Sequence, residues 1–226
     1  TVMGDLTDSG EGAALNIGSG ASLSVNGASS LSSSTIQGSG TLTLRDTLEI
    51  SGTASLQGGV LLDLAKDDDS TGTLDLGSTS GSTVSGIGGE GTLKSAGGVL
   101  TVNTGNSGGG SVFSGTLEGR GQLNVSGNAG QTFENVMTAA GSSWAVNSTG
   151  LFNIRMGGTV DNPRANTALT LSSLTLGDGS STNLTFNTDY AGPIISVTGN
   201  ISISQGAEIA LSSTGGNELT LDADGS

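Results

Sequence analysis

Alternating apolar doublets return every 19 residues through the first half of the chain. Leu23-Ser24-Val25, Leu42-Thr43-Leu44 and Leu61 follow at that interval, and Leu74-Asp75-Leu76 stands 19 residues ahead of Leu93. Alternation at period two places Leu, Val and Ile on one side of a strand and Ser, Thr, Asn or Asp on the other. A unit this short cannot bury a core alone, but stacked copies can, which is the logic of a solenoid. Secondary doublets, Leu48-Glu49-Ile50 and Leu62-Asp63-Leu64, lie between the main ones. Two or three short strands per coil account for them. No apolar period near 3.6 is sustained over a dozen residues, so helix content is expected near zero.

After Gly89 the spacing lengthens. Leu100 to Leu123 is 23 residues, and Leu123-Asn124-Val125 to Trp144-Ala145-Val146 is 21. Longer coils imply loops at the corners. Gly108-Gly109-Gly110 and the stretch Asn153 to Ala168, with Asn162-Pro163 as a turn signal, are the expected places. From Leu169 the doublets crowd together, from Leu169-Thr170-Leu171 to Leu219-Thr220-Leu221. The expected fold is all-β, a right-handed parallel β-helix of about 10–11 rungs at roughly 20 residues per rung. Stacked at about 4.8 Å, these make a rod of about 50 Å. Residues 1–168 are read as its rungs, and 169–226 as a late segment of the same solenoid. Leu42, Leu44, Leu74, Leu93, Leu100, Val102, Leu123 and Val125 are expected to point inward. A hexapeptide coil would need a strict six-residue spacing that the 19-residue steps do not keep, and a β-sandwich is the other rival.

Composition agrees with a narrow stacked core. The chain has 226 residues with 41 Gly, 2 Pro and 12% charged residues. Glycine-rich disorder usually brings Pro or high charge density as well. Aromatic residues begin only at Phe113, so the first half must build its core from aliphatic side chains. With no Cys and no His, disulfides, thiolate metal sites and a Ser-His-Asp triad are excluded. The net charge is −14, and the six cations, Arg45, Lys66, Lys94, Arg120, Arg155 and Arg164, are scattered singly. Nucleic acid and anionic lipid are therefore not expected partners. No apolar run is long enough to span a membrane as a helix.

The densest polar cluster is Asp67-Asp68-Asp69, with Asp63 before it and Asp75 after. EF-hand spacing fails there, because Thr71 replaces a ligand and no Glu closes the loop. A solvated acidic loop without a structural ion is expected. Asp63 and Asp75 are the one carboxylate pair that stacking could bring together for glycoside chemistry. Other acidic residues stand isolated, and the nucleophile-elbow and phosphate-loop motifs are missing. No catalytic, cofactor-binding or metal residue is assigned, and no cofactor is expected. Trp144 alternates with Val146 and is expected in the core rather than on a sugar-stacking surface, with Tyr190 the other ring considered. Asn124, Asn147, Asn183 and Asn200 each begin an Asn-x-Ser/Thr triplet, as chance predicts in so Asn- and Ser-rich a chain.

One stretch carries a family likeness. Gly89-Glu90-Gly91-Thr92-Leu93, Val99-Leu100-Thr101-Val102, Asn106, Gly108-Gly109 and Gly115-Thr116-Leu117 occur in the order of the passenger-associated repeat of bacterial type V autotransporters. The chain resembles that family here and more diffusely elsewhere. It departs from the repeat at Asn106-Ser107-Gly108, where the family has Tyr-Thr-Gly. The resemblance implies a β-helical passenger on the bacterial outer membrane, its translocating barrel lying outside this sequence. The chain starts and stops within its pattern, so it is read as part of a longer protein. The implied function is adhesion: aggregation, biofilm formation or host attachment, through self-association between cells or a host ligand. The alternatives are a passive stalk presenting an upstream domain and a carbohydrate-active β-helix.

If Leu100 points into a stacked core, Leu100→Asp buries an unpaired charge. It is expected to cost several kcal/mol and to melt the neighbouring coils. A thermal melt followed by far-UV circular dichroism checks this; an unchanged midpoint would remove Leu100 from the core.

Overall fold

The computed structural model describes residues 6, 12–105, 110–156, 158–159, 162–163, 168–177, 181–187 and 194–214. It is a parallel β-solenoid of about 7 turns, with no helix among the described residues. Each coil lays strands on three faces in succession. The first face is a sheet of nine strands running from Ser22–Val25 through Thr41–Leu44, Leu61–Leu64 and Gly86–Gly89 to Glu208–Thr214. The second face stacks Ser29–Leu31, Thr47–Ile50 and Thr73–Asp75, and continues into Thr92–Asn103 and Thr116–Ser126. On the third face, Ala14–Ile17, Thr35–Gly38 and Ser55–Gly58 form a separate sheet, and Ser80–Val84 follows them. Further along, second- and third-face strands fuse. Thr92–Asn103, Thr116–Ser126 and Ala168–Leu176 each cross both faces as one long strand.

Every ladder between successive coils is parallel, so residues at one register stack along the rod. Leu23, Leu42, Leu62 and Ile87 share one column, and Leu48, Leu74, Leu93 and Leu117 another. All eight residues expected to point inward are buried, none more than 1% exposed. Burial of each contributes roughly 1.5–3 kcal/mol. Aromatic residues join the core from Phe113 onward, beside an aliphatic column that continues through Leu100, Leu123, Val146 and Leu174. Phe113, Phe133 and Phe152 stack edge to face, with centroids 5.7 and 5.1 Å apart. Trp144 is fully buried, its ring in the space left by Gly121 and its Nε1 donating to the Glu118 carbonyl at 3.3 Å.

The coil is less regular than its first repeats suggest, which reduces the expected 10–11 rungs. Ser22 pairs with Thr41, a step of 19 residues, but Leu151 pairs with Ser181, a step of 30. The extra residues leave the rod as excursions. One runs from Ala65 to Gly72 around an antiparallel bridge between Lys66 and Thr71, closed where the Gly72 N–H donates to the Ala65 carbonyl at 2.7 Å. Another carries a short antiparallel ribbon, Gly158–Thr159 against Asn162–Pro163, so Asn162-Pro163 is strand rather than turn. Asn153 to Met156, expected in a loop, instead finish the strand Leu151–Met156, because Phe152, Ile154 and Met156 alternate into the core. Gly110 precedes the strand Ser111–Phe113, while Gly108 and Gly109 lie outside the described residues.

Corner glycines are needed for two different reasons. Some, such as Gly58 and Gly119, sit at positive φ of 76° and 79°, where other residues are strained. Gly72, Gly91 and Gly115 do not. They stack just before Thr73, Thr92 and Thr116, and each backbone presses on the coil below. A Cβ on Gly115 would sit on the Gly91 carbonyl oxygen, and one on Gly91 would sit on that of Gly72. Gly115→Ala is therefore expected to destabilise by about 1–3 kcal/mol, because the clash is with backbone that cannot step aside. Gly18→Ala, with open space around it, is expected to stay within about 0.5 kcal/mol. Urea midpoints of the two variants provide the check.

Candidate functional site

Because the ladders are in register, each face presents its own outward chemistry. On the second face Glu49, Asp75, Lys94 and Glu118 occupy one column. Lys94 Nζ lies 3.1 Å from Asp75 Oδ2, and Asp75 is held in place by the Gly77 N–H donating to its Oδ1 at 2.9 Å. The lysine thus sits among three carboxylates. Its pKa is raised above the usual lysine value, first by the hydrogen bond to Asp75, then by the charges of Asp75, Glu118 and Glu49.

Asp63 and Asp75 do not come together. Asp63 is on the first face, between Thr43 and Gly88, with Thr43 Oγ1 donating to it at 3.3 Å. Asp75 is on the second, paired with Glu49 and Lys94. The eleven residues between them carry the chain out through the Ala65–Gly72 excursion and around a corner. Asp67, Asp68 and Asp69 are exposed in that excursion. Asp67 accepts from Ser70 Oγ at 2.6 Å and pairs with Arg45 at 2.7 Å. The Ser70 hydroxyl, and after it the Arg45 charge, hold its carboxyl below the usual range. Among the described residues no three Asp or Glu side chains converge on a point that could hold a metal ion.

The third face is different in kind. Thr83, Thr101, Asn124, Asn147, Thr175 and Ser202 form one outward column through six successive strands. At about 4.8 Å per step the column is about 24 Å long. Val99, Gln122, Ala145 and Ser173 run beside it. Neither column contains a formal charge, in a chain of net charge −14. The amides bond to one another: Asn124 Oδ1 accepts from Gln122 Nε2 at 2.8 Å and from Asn147 Nδ2 at 3.1 Å. Two of the four Asn-x-Ser/Thr triplets therefore begin at adjacent positions on this ladder. Trp144, considered for sugar stacking, is in the core, and Tyr190 lies outside the described residues.

Charge separation by face was not part of the sequence reading. Residues 49, 75, 94 and 118 are unevenly spaced, so linear distance hides their alignment. The signal that could have found it is Gly-Thr-Leu followed by a charged residue, which occurs as Gly72 to Asp75, Gly91 to Lys94 and Gly115 to Glu118, whereas Gly40-Thr41-Leu42-Thr43, with an uncharged fourth residue, lies on the first face. Its fourth position is the charged column.

The Lys94 column has a consequence at high pH. A lysine whose folded-state pKa is raised stabilises the fold fully below its ordinary value of about 10.4, and that contribution is lost as pH rises through the folded-state value. Lys94 is nearly half exposed, which limits the effect to about 0.2–1 kcal/mol. Lys94→Met is expected to lose that much near neutral pH and to converge with the parent chain once the pH has risen past the raised folded-state value. Urea midpoints at the two pH values test it.

Comparison with family models, with curated proteins and with solved structures finds no match, so the fold and its three outward faces carry the functional reading.

Proposed function

We propose that the chain is part of a bacterial autotransporter passenger, displayed at the cell surface, that acts as an adhesin by pairing with a second copy of itself through the third face. The uncharged ladder from Thr83 to Ser202 is the observation that carries this reading. Two rods of charge −14 repel, and this is a long strip on which they can meet without bringing like charges together. Hydroxyl and amide groups at a common repeat can form many weak hydrogen bonds in register, each worth about 0.5–1.5 kcal/mol net. The fold supports the reading because a stacked coil keeps such a strip flat over many residues. No catalytic role is part of it.

Sedimentation equilibrium tests the proposal. Weak dimerisation is expected to strengthen from low to physiological salt, where the Debye length falls to about 8 Å and the scattered charges are screened. It is expected to strengthen again as pH falls toward the pI of about 4.1. Asn124→Asp combined with Asn147→Asp places two charges on the ladder and is expected to abolish the dimer, while Glu49→Gln on the second face leaves it intact. A chain that stays monomeric at hundreds of micromolar overturns the self-association reading and favours a passive stalk. A dimer that weakens with added salt points instead to ion pairs through Arg45, Arg120 or Arg155.

A further inference from the structure

The interior column through Leu42, Leu62 and Ile87 continues at Gln131 instead of a further apolar residue. Gln131 is fully buried. Its amide reaches past the intervening strand Ser111–Phe113 to the coil beyond. The Ile87 N–H donates to Gln131 Oε1 at 2.9 Å, and Gln131 Nε2 donates to the Ile87 carbonyl at 3.0 Å. Nε2 also approaches the Ser111 carbonyl at 3.3 Å and the Thr132 carbonyl at 3.2 Å. A side-chain amide thus makes the two-point contact that a neighbouring peptide group makes in an ordinary ladder.

That contact is needed because the ladder fails at this place. Gly86–Gly89 pairs with Leu61–Leu64 at four positions on one side, but with Ser111–Phe113 only at Gly89 and Phe113 on the other. Ser111–Phe113 keeps all three pairs with Gln131, Thr132 and Phe133. Its first two residues are therefore laddered on one side only. Ser111 packs on Gly86 by its side chain alone, its hydroxyl filling the space a Cβ there would take, and its N–H reaches the Gly130 carbonyl at a long 3.3 Å. Val112 is 41% exposed, whereas Phe113 is fully buried against Phe133.

We propose that Ser111-Val112 is a local opening unit of the first face, lifting away from the rod about Phe113 as its anchor, while the Gln131 amide keeps the coils on either side coupled. The coil before and the coil after remain bonded through Gln131 and Ile87 without passing through the strand between them. Opening therefore frees a short stretch of backbone at mid-rod without dividing the rod. Regions that open locally do so at far smaller free energy than global unfolding.

Residue-resolved amide exchange on the intact chain tests this. Ser111 and Val112 are expected to exchange at least about tenfold faster than Val102 and Leu123, with Ile87 and Phe133 slow. In Gln131→Met, which keeps the volume and removes the amide, Ile87 is expected to accelerate at least about tenfold while the ladder from Thr41 to Leu64 is unchanged. Protection of Ser111 and Val112 equal to that of Leu123 would overturn the opening unit, and this reading needs no variant. An unchanged Ile87 in a folded Gln131→Met chain would overturn the coupling role.

Discussion

The parallel backbone ladder between successive coils is the constraint on which everything else rests. Once one coil is paired in register with the next, every side chain inherits neighbours above and below at a fixed repeat. Inward positions then stack like on like, giving the leucine columns and the edge-to-face run from Phe113 through Phe133 to Phe152. Outward positions stack the same way. A few residues of similar chemistry, far apart in sequence, become a continuous strip. The charged column at Glu49, Asp75, Lys94 and Glu118 and the neutral ladder from Thr83 to Ser202 are products of the same geometry. Neither exists in any single coil.

Where the ladder is interrupted, side chains complete it. Between Ser55–Gly58 and Ser80–Val84 no backbone pairs form, and the Leu56 N–H donates instead to Ser82 Oγ at 3.1 Å. Ser82 is buried, so the bond satisfies a donor that water does not reach. Gln131 does the same with both a donor and an acceptor. These buried polar residues are the places where the stacking rule gives way to local accommodation of longer coils.

The fold was legible in the sequence because its signal is periodic. The 19-residue return from Leu23 to Leu42 reports a stacking interval, although the column then continues one residue later than expected, at Leu62 rather than Leu61, and the alternation within each doublet reports which residues face inward. Trp144 could be placed in the core from its alternation with Val146 alone. The number of turns was not legible, because excursions such as Ala65–Gly72 consume residues without adding a strand to the rod. The outward strips were only partly legible. Asp63 and Asp75 look close in the linear chain, yet a corner separates them, while Asp75 and Lys94 are brought into contact by register. Gln131 and Ser82 carried no sequence signal, since a buried polar residue that replaces a ladder bond looks like any surface Gln or Ser.

The closed base of the Ala65–Gly72 excursion separates ornament from scaffold. The chain returns to within one hydrogen bond of the point where it left, at 2.7 Å between the Gly72 N–H and the Ala65 carbonyl. The coil beneath therefore keeps the same geometry whatever the length of the protruding segment, since only the two anchoring residues enter the stack. Such a junction lets the protruding residues be rewritten, lengthened or replaced by foreign sequence while the rod that displays them stays the same.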